Sequence, residues 1–528
     1  MNFLARIIVF FLLLPFFALA NTKTSSKNID QLVKEMDTYT EEARKIWNVP
    51  AVAVVIIYKG QPYFILKGTK SVSDKTPIDE KTRFHLFSLT KGMTAALMLK
   101  LEEKGLISLD DPIIKYIPDF KLSNSDIAKT LTIKDVLSQS VGLKQFAGDS
   151  FLKLGFSEKE TWEAMAELPI KKITGKDYTY SNQFHGLMKQ IIEKVTKKPL
   201  EVTAKELLFD PLKMSNTTYA PLYGRGFLSS CSKTKKLQDD FAKPHVIYDG
   251  VKEIPNIDQV FVQQASMAVS STIEDMANWL KFLMYGNPEV LKNDWFNQLR
   301  VPRNHYLLQS QNSMIFPKSR HSTLDYCFGA MLLPYGKGEN KINLYRQNGA
   351  RQGGTTCLAY SLEYDLGIVI LCNLGANQDC LLPEAIMFKL FDTVMGINDT
   401  DWKHVTFEHT NETLKKYRDF FEQSRFAAPT PHEDLTPYIG NYCNRLYGTI
   451  TLKIKDNVLW VSYRGKEAKT THLNGNRFTF VPAQLSSGYS STDYGFIDLG
   501  YAPSDRARHA MTCNLMNEGD DTIFIQTK

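Results

Sequence analysis

The chain has 528 residues, 43% of them hydrophobic and 23% charged, which is apolar material for two or three cored domains. Thirty glycines and twenty-two prolines stay near the ordinary background, and with a mean hydropathy of −0.25 they exclude a disordered chain, a coiled-coil rod and a polytopic membrane protein. The formal net charge of +6 is small for the length and spread along the chain, which argues against a nucleic-acid partner.

The first twenty residues differ in kind from the rest. Arg6 precedes the apolar run Ile7 to Phe17, and Ala18-Leu19-Ala20 puts small residues where a signal peptidase reads them. Residues 1–20 are therefore expected to be a signal peptide cut after Ala20, and the protein to be periplasmic or secreted. An uncleaved anchor is the alternative, although the run is short for a spanning helix. Asn21 follows the cut, where a lipoprotein anchor needs cysteine.

After a helix-like stretch around Ile29 to Trp47, Ala51 to Tyr58 is almost continuously apolar, Lys59-Gly60-Gln61-Pro62 is a turn, and Tyr63 to Lys67 resumes a strand pattern. This reads as a β-hairpin. From Ser88 to about Arg300 the pattern is helical, including an amphipathic helix from Lys91 to Lys104 and a helical pattern from Phe184 to Val195. Strands resume at Tyr326 to Leu333, Ile342 to Gln347, Thr355 to Ser361 and Gly367 to Cys372. A front hairpin and several back strands form one antiparallel sheet only if the helical middle is an insertion beside it.

A helix near Thr413 to Ser424 leads into Ala427-Ala428-Pro429-Thr430-Pro431, the composition of a stiff linker. Beyond it, Gly448 to Ile454, Val458 to Tyr463 and Arg477 to Val481 are strand-sized, with turns at Asp456-Asn457 and Asn474-Gly475-Asn476. A small C-terminal β-barrel is expected there. The division that follows is 29–395 for an α/β unit, 396–431 for a helix and linker, and 432–528 for the barrel.

Seven cysteines, Cys231, Cys327, Cys357, Cys372, Cys380, Cys443 and Cys513, leave at least one unpaired. A Cys443–Cys513 bridge is the favoured pairing, and Cys372 reads as a core thiol. There is no Cys-x-x-Cys, His-x-x-x-His or His-x-Cys pattern, so no metal or other cofactor is assigned.

Ser88-Leu89-Thr90-Lys91 sets a hydroxyl and an amine three apart, on one face of a helix. A lysine whose pKa is depressed by burial beside other cations can activate such a serine. At a helix N-terminus the Ser88 N–H also points where an oxyanion would form. The spacing recurs at Ser150/Lys153, Ser230/Lys233 and Ser232/Lys235, so alone it also fits a chance pair on a solvated helix. Tyr180-Ser181-Asn182 offers a phenol for proton transfer and an amide to orient the lysine or a substrate carbonyl. A second Tyr-x-Asn stands at Tyr442/Asn444.

In that order, with a third motif at Gln347-Asn348-Gly349, these residues resemble the serine hydrolase family of class C β-lactamases, D-alanyl-D-alanine carboxypeptidases, esterases and D-aminopeptidases. The likeness extends through Glu102 to Pro112, Leu131 to Ser138, Asp210 to Met214 and Ser270 to Met276, and covers about Ile29 to Asp392. It implies an antiparallel sheet flanked by helices with an inserted helical subdomain. It also implies catalysis by Ser88, Lys91 and Tyr180, with Asn182, Gln347, Gly349 and the Ala350 N–H contacting substrate. The expected substrates are small peptides, amides or esters, among them peptidoglycan peptides and D-amino-acid derivatives, with a β-lactam as a special case. A catalytically impaired binding or scaffold protein is the competing reading.

The chain departs from the family in three places. Gln347 stands where Lys or His is usual, Gln139 replaces the histidine of Leu-Ser-His-Thr-Ser-Gly-Leu, and Ser266-Met267 replaces a Gly-Gly pair. Arg351 is a candidate for the missing charge, or a surface arginine on a turn. Leu435 to Tyr442 and Tyr447-Gly448 resemble the lipocalin-like barrel of some D-aminopeptidases, which would cap the cleft or mediate self-association into a homo-oligomer.

Overall fold

Ala51–Tyr58 is apolar throughout because both of its faces are covered. Val52, Val54 and Ile56 join one core with the helices Ile29–Trp47 and Leu382–Met395, while Ala53, Val55 and Ile57 join another with Thr90–Glu103 and Ile273–Tyr285. In a computed structural model, which describes residues 28–171, 178–220, 240–247, 251–254, 263–307, 323–375, 380–426, 431–482, 495–502, 505–516 and 523–527, this strand sits inside an eight-stranded antiparallel sheet. The expected signal peptide, Cys231 and residues 427–430 lie outside the described residues.

Across the sheet the strands run Gln61–Gly68, Ala51–Tyr58, Leu366–Cys372, Gly354–Ser361, Asn340–Arg351, Met331–Lys337, Thr323–Tyr326 and Asn304–Leu307. The front hairpin thus pairs with the last sheet strand, Val54 opposite Ile370, and the helical middle projects to one side as an insertion. No helix among the described residues is long and apolar enough to cross a membrane.

Four sequence expectations change. Tyr326 to Leu333 is two strands parted at Cys327–Ala330. A Cβ on Gly329 there would lie 2.5 Å from Gly92 Cα, so the break admits the helix that follows Ser88. That helix, Thr90–Glu103, is buried all round from Thr90 to Leu99, not amphipathic, because it runs between the sheet and the inserted helices. Phe184 to Val195 is two helices, Asn182–Gly186 and Met188–Thr196. The helix near Thr413 spans Trp402–Phe426, its start pinned by the Trp402 indole donating to Asp392 at 2.8 Å.

The C-terminal strands close into an eight-stranded barrel, Gly440–Asn444 pairing with Ile523–Gln526. Asp456 and Asn457, at φ 51° and 57°, make the two-residue turn that matches strand twist. Strand alternation also overturns the Cys443–Cys513 bridge. Cys443 faces outward beside Thr449 Oγ1, while Cys513 is buried, and both are free. Two thiols on opposite sides of a barrel wall cannot meet.

One end of the barrel seats on the inserted helices. Tyr447, 2% exposed, packs between Phe151, tilted against it at 5.3 Å, and Phe524, stacked on it at 6.0 Å. The Arg464 guanidinium lies 4.6 Å from the Phe156 ring and pairs with Glu160 at 2.7 Å, and Arg445 pairs with Glu167. Arg464 and the Ser157 cap hold the Glu160 carboxyl down at about 2, so this pair supports the folded state above the ordinary glutamate range and is lost as pH falls toward 2. Removing the buried ring in Tyr447→Ala is expected to cost about 3–5 kcal/mol. Calorimetry should then show the barrel melting as a separate, earlier transition.

Candidate active site

The strand Arg83–His85 pairs with Ser270–Thr272 and then reverses at Phe87, whose φ is +50°. A bulky residue rarely adopts that left-handed conformation. Here it is held by the Phe87 ring stacked on His85 at 4.6 Å and 5°. The turn delivers Ser88, half-buried among buried neighbours, onto a 3-10 turn at the head of Thr90–Glu103.

Lys91, 1% exposed, donates from Nζ to Ser88 Oγ at 3.1 Å, to Asn182 Oδ1 at 2.8 Å and to the Ser266 carbonyl at 3.0 Å. Tyr180 donates its hydroxyl to Ser88 Oγ at 2.7 Å. Lys91 and Tyr180 therefore meet at the Ser88 hydroxyl, and Asn182 holds the amine. As a neutral amine, Lys91 keeps two N–H groups for Asn182 and Ser266 and has a lone pair for the Ser88 proton.

Burial lowers Lys91 to a pKa of about 7; Asp149 opposes that shift and Arg351 adds to it. Burial moves Tyr180 the other way, well above the usual tyrosine value, with the Ser88 contact a smaller opposing influence. One group is thus a base near neutrality and its neighbour stays a protonated phenol.

The third motif lies against the same turn. Gln347 is buried and donates from Nε2 to the Ser88 carbonyl at 2.8 Å, bracing the backbone of the nucleophile. A Cβ on Gly349 would lie 2.4 Å from the Leu86 carbonyl oxygen and 2.8 Å from the Ser88 nitrogen. Only glycine lets this strand approach so closely, and it brings half-buried Ala350 beside Ser88. Arg351 is at the strand's end rather than on a turn, with Nη1 2.8 Å from Met267 Sδ.

Three further residues hold this arrangement. Gln139, buried at φ +59°, accepts from the Ser181 N–H at 2.6 Å through Oε1 and from the Thr179 N–H at 2.7 Å through its carbonyl, so it fixes the loop bearing Tyr180. Ser266 acts through its carbonyl. Asp149 accepts from Asn182 Nδ2 at 2.8 Å. Gln139 and Ser266 stand out in the sequence as departures from the family pattern; no motif marks Asp149. Of the recurring spacings, Ser150/Lys153 sits in the separate helix Asp149–Lys153, and the other two lie outside the described residues. Tyr442 and Asn444 bind barrel backbone, at the Tyr438 and Ile523 carbonyls. Among the described residues no three His, Cys, Asp or Glu side chains gather to hold a metal ion.

The sequence model of the beta-lactamase family matches residues 30–387. Protein flp of Staphylococcus aureus (strain MW2) is 24% identical over 377 residues, covering 69% of this chain and 68% of that protein. Unguisins hydrolase ungD of Aspergillus violaceofuscus (strain CBS 115571) is 22% identical over 483 residues, 84% of this chain and 82% of that one. The octameric penicillin-binding protein homologue from Pyrococcus abyssi superposes with a TM-score of 0.56 at 19% identity, over 94% of this chain and 100% of that one. A class C beta lactamase from Rhodobacter sphaeroides does so with a TM-score of 0.53 at 17% identity, over 68% and 99%. At these identities the structural likeness is one of fold.

Gly349→Ala is expected to push the strand off Ser88 and slow labelling of Ser88 by a fluorophosphonate by about a hundredfold, the scale of one lost oxyanion donor. Time-resolved intact-mass spectrometry measures it.

Proposed function

Since the chain belongs to the beta-lactamase family of serine hydrolases, we propose that it cleaves amides or esters of small acyl groups through an acyl-enzyme on Ser88. The observation that carries this reading is the Ser88 hydroxyl held between the Lys91 amine at 3.1 Å and the Tyr180 phenol at 2.7 Å. Lys91 takes the Ser88 proton as Oγ bonds to the substrate carbonyl carbon. The backbone N–H groups of Ser88 and Ala350 receive the oxyanion. On collapse the bond to the leaving group breaks, and the proton passes from Lys91 through Tyr180 to the departing nitrogen or oxygen. Water then attacks the acyl carbon, returns its proton along the same path and frees Ser88 and the acid.

Asn182 holds Lys91 and is placed to contact the substrate carbonyl. Gln347, neutral and bound to the Ser88 backbone, favours peptide, amide or ester turnover over efficient β-lactam hydrolysis. Arg351 supplies positive charge nearby, because it acts on Lys91. Peptidoglycan peptides and D-amino-acid derivatives are the substrates this reading favours, in keeping with export by the N-terminal segment to the periplasm or medium. Self-association is part of it, supported by the octameric assembly of the Pyrococcus homologue.

Purified protein incubated with a fluorophosphonate and with a fluorescent penicillin should carry an adduct on Ser88 that vanishes in Ser88→Ala. No adduct from either probe, with D-amino-acid amides and p-nitrophenyl esters also untouched, would sink the proposal. Protonated Lys91 cannot accept the serine proton, so kcat/KM is expected to fall about tenfold per unit as pH drops below about 7. A stopped pH series on the best substrate measures this.

A further inference from the structure

The partners given to Lys91 are a hydroxyl, an amide oxygen and a peptide carbonyl; the carboxylate that affects it lies one residue further out. Asn182 spans the two, accepting from Lys91 Nζ through Oδ1 at 2.8 Å and donating through Nδ2 to Asp149 Oδ2 at 2.8 Å. A carboxylate only accepts, so it fixes which end of this amide faces the lysine. Asp149 Oδ1 in turn accepts from Gln183 Nε2 at 3.2 Å and Gln263 Nε2 at 3.3 Å. All three donors are neutral amides. Gly148, at φ +87°, brings the aspartate this close: a Cβ there would lie 2.7 Å from Gln183 Cγ and 2.6 Å from Met165 Sδ.

We propose that Asp149 is a positioning residue for Lys91, acting through the Asn182 amide to keep the amine's lone pair on Ser88 and to stabilise the ammonium formed when Ser88 loses its proton. The inference rests on the acyl-enzyme reading. The charged and titratable groups that bear on Lys91 are Asp149 and His185 from the inserted helices, Tyr180 from the loop between them and Arg351 from the sheet. Of these Asp149 is the anion, and it raises the lysine's pKa against burial and Arg351. The segment it opens, Asp149–Lys153, also carries Phe151, on which the barrel's Tyr447 rests.

The test replaces the charge and keeps the shape. In Asp149→Asn, labelling of Ser88 should slow about tenfold, and the acid limb of kcat/KM should move to lower pH, because the lysine has lost its stabilising anion. Asp149→Glu, which restores the charge, should move the limb back toward the wild-type position. Titration of Lys91 by NMR with 13C-labelled lysine, assigned through Lys91→Met, reads the same shift without turnover. An Asp149→Asn enzyme whose acid limb and Lys91 titration both stay at the wild-type position overturns the proposal, even if its activity has fallen, since packing alone would do that. Where Asp149→Asn does not fold, Asp149→Ala is read in the same way. Wild-type protein that never labels at Ser88 sinks the underlying function instead, and the Lys91 titration still reports on Asp149.

Discussion

An amine kept almost out of water beside a hydroxyl is the condition to which the rest of the molecule answers. A lysine in solvent stays charged at neutral pH and cannot take a proton from serine; Lys91 can because burial disfavours its ammonium. Burial in turn requires the helix Thr90–Glu103 to be enclosed on all sides, which a surface helix is not. The sheet closes one side of it and the inserted helices close the other. The polar ends left inside by that enclosure are satisfied by residues far apart in the chain, Asn182 and Ser266 for the amine and Gln347 for the serine carbonyl.

The barrel belongs to the same construction. It packs on Phe151, Phe156 and Glu160 of the insertion, and the insertion carries Asp149, Tyr180 and Asn182. A disturbance at the barrel's seat therefore has a short covalent and packed route to the residues around Ser88, although the barrel's own strands are remote from the nucleophile in sequence.

What could be read from the sequence was whatever is local. Ser88/Lys91 and Tyr180/Asn182 are short spacings on helix or loop, and the sheet's apolar runs announce strands at once. Gln347 was found by its place in a motif, but its task was not legible, because donating to the Ser88 carbonyl is a contact across 259 positions. The helix after Ser88 looks one-sided in the sequence, since its inner polar residues Lys91 and Thr94 imitate a wet face until their buried partners are known. The cysteine pairing failed for a related reason: nearness to the C-terminus says nothing about which side of a barrel wall a side chain takes. Asp149 leaves no signal in the sequence, being one aspartate among many until Asn182 is placed against it.

Gly92, Gly329 and Gly349 have a consequence for how such a site can change over time. Each stands where main chain meets main chain or a brace: Gly329 on Gly92, Gly349 on Leu86 and Ser88, Gly92 on Gln347. The position of the nucleophile is thereby set largely by backbone contact, which tolerates exchange of the side chains around the cleft. Selectivity and nucleophile geometry become separable properties. A lineage can trade the charged residue of the third motif for a glutamine, and so alter which acyl groups it accepts, without rebuilding the hydroxyl–amine pair at its centre.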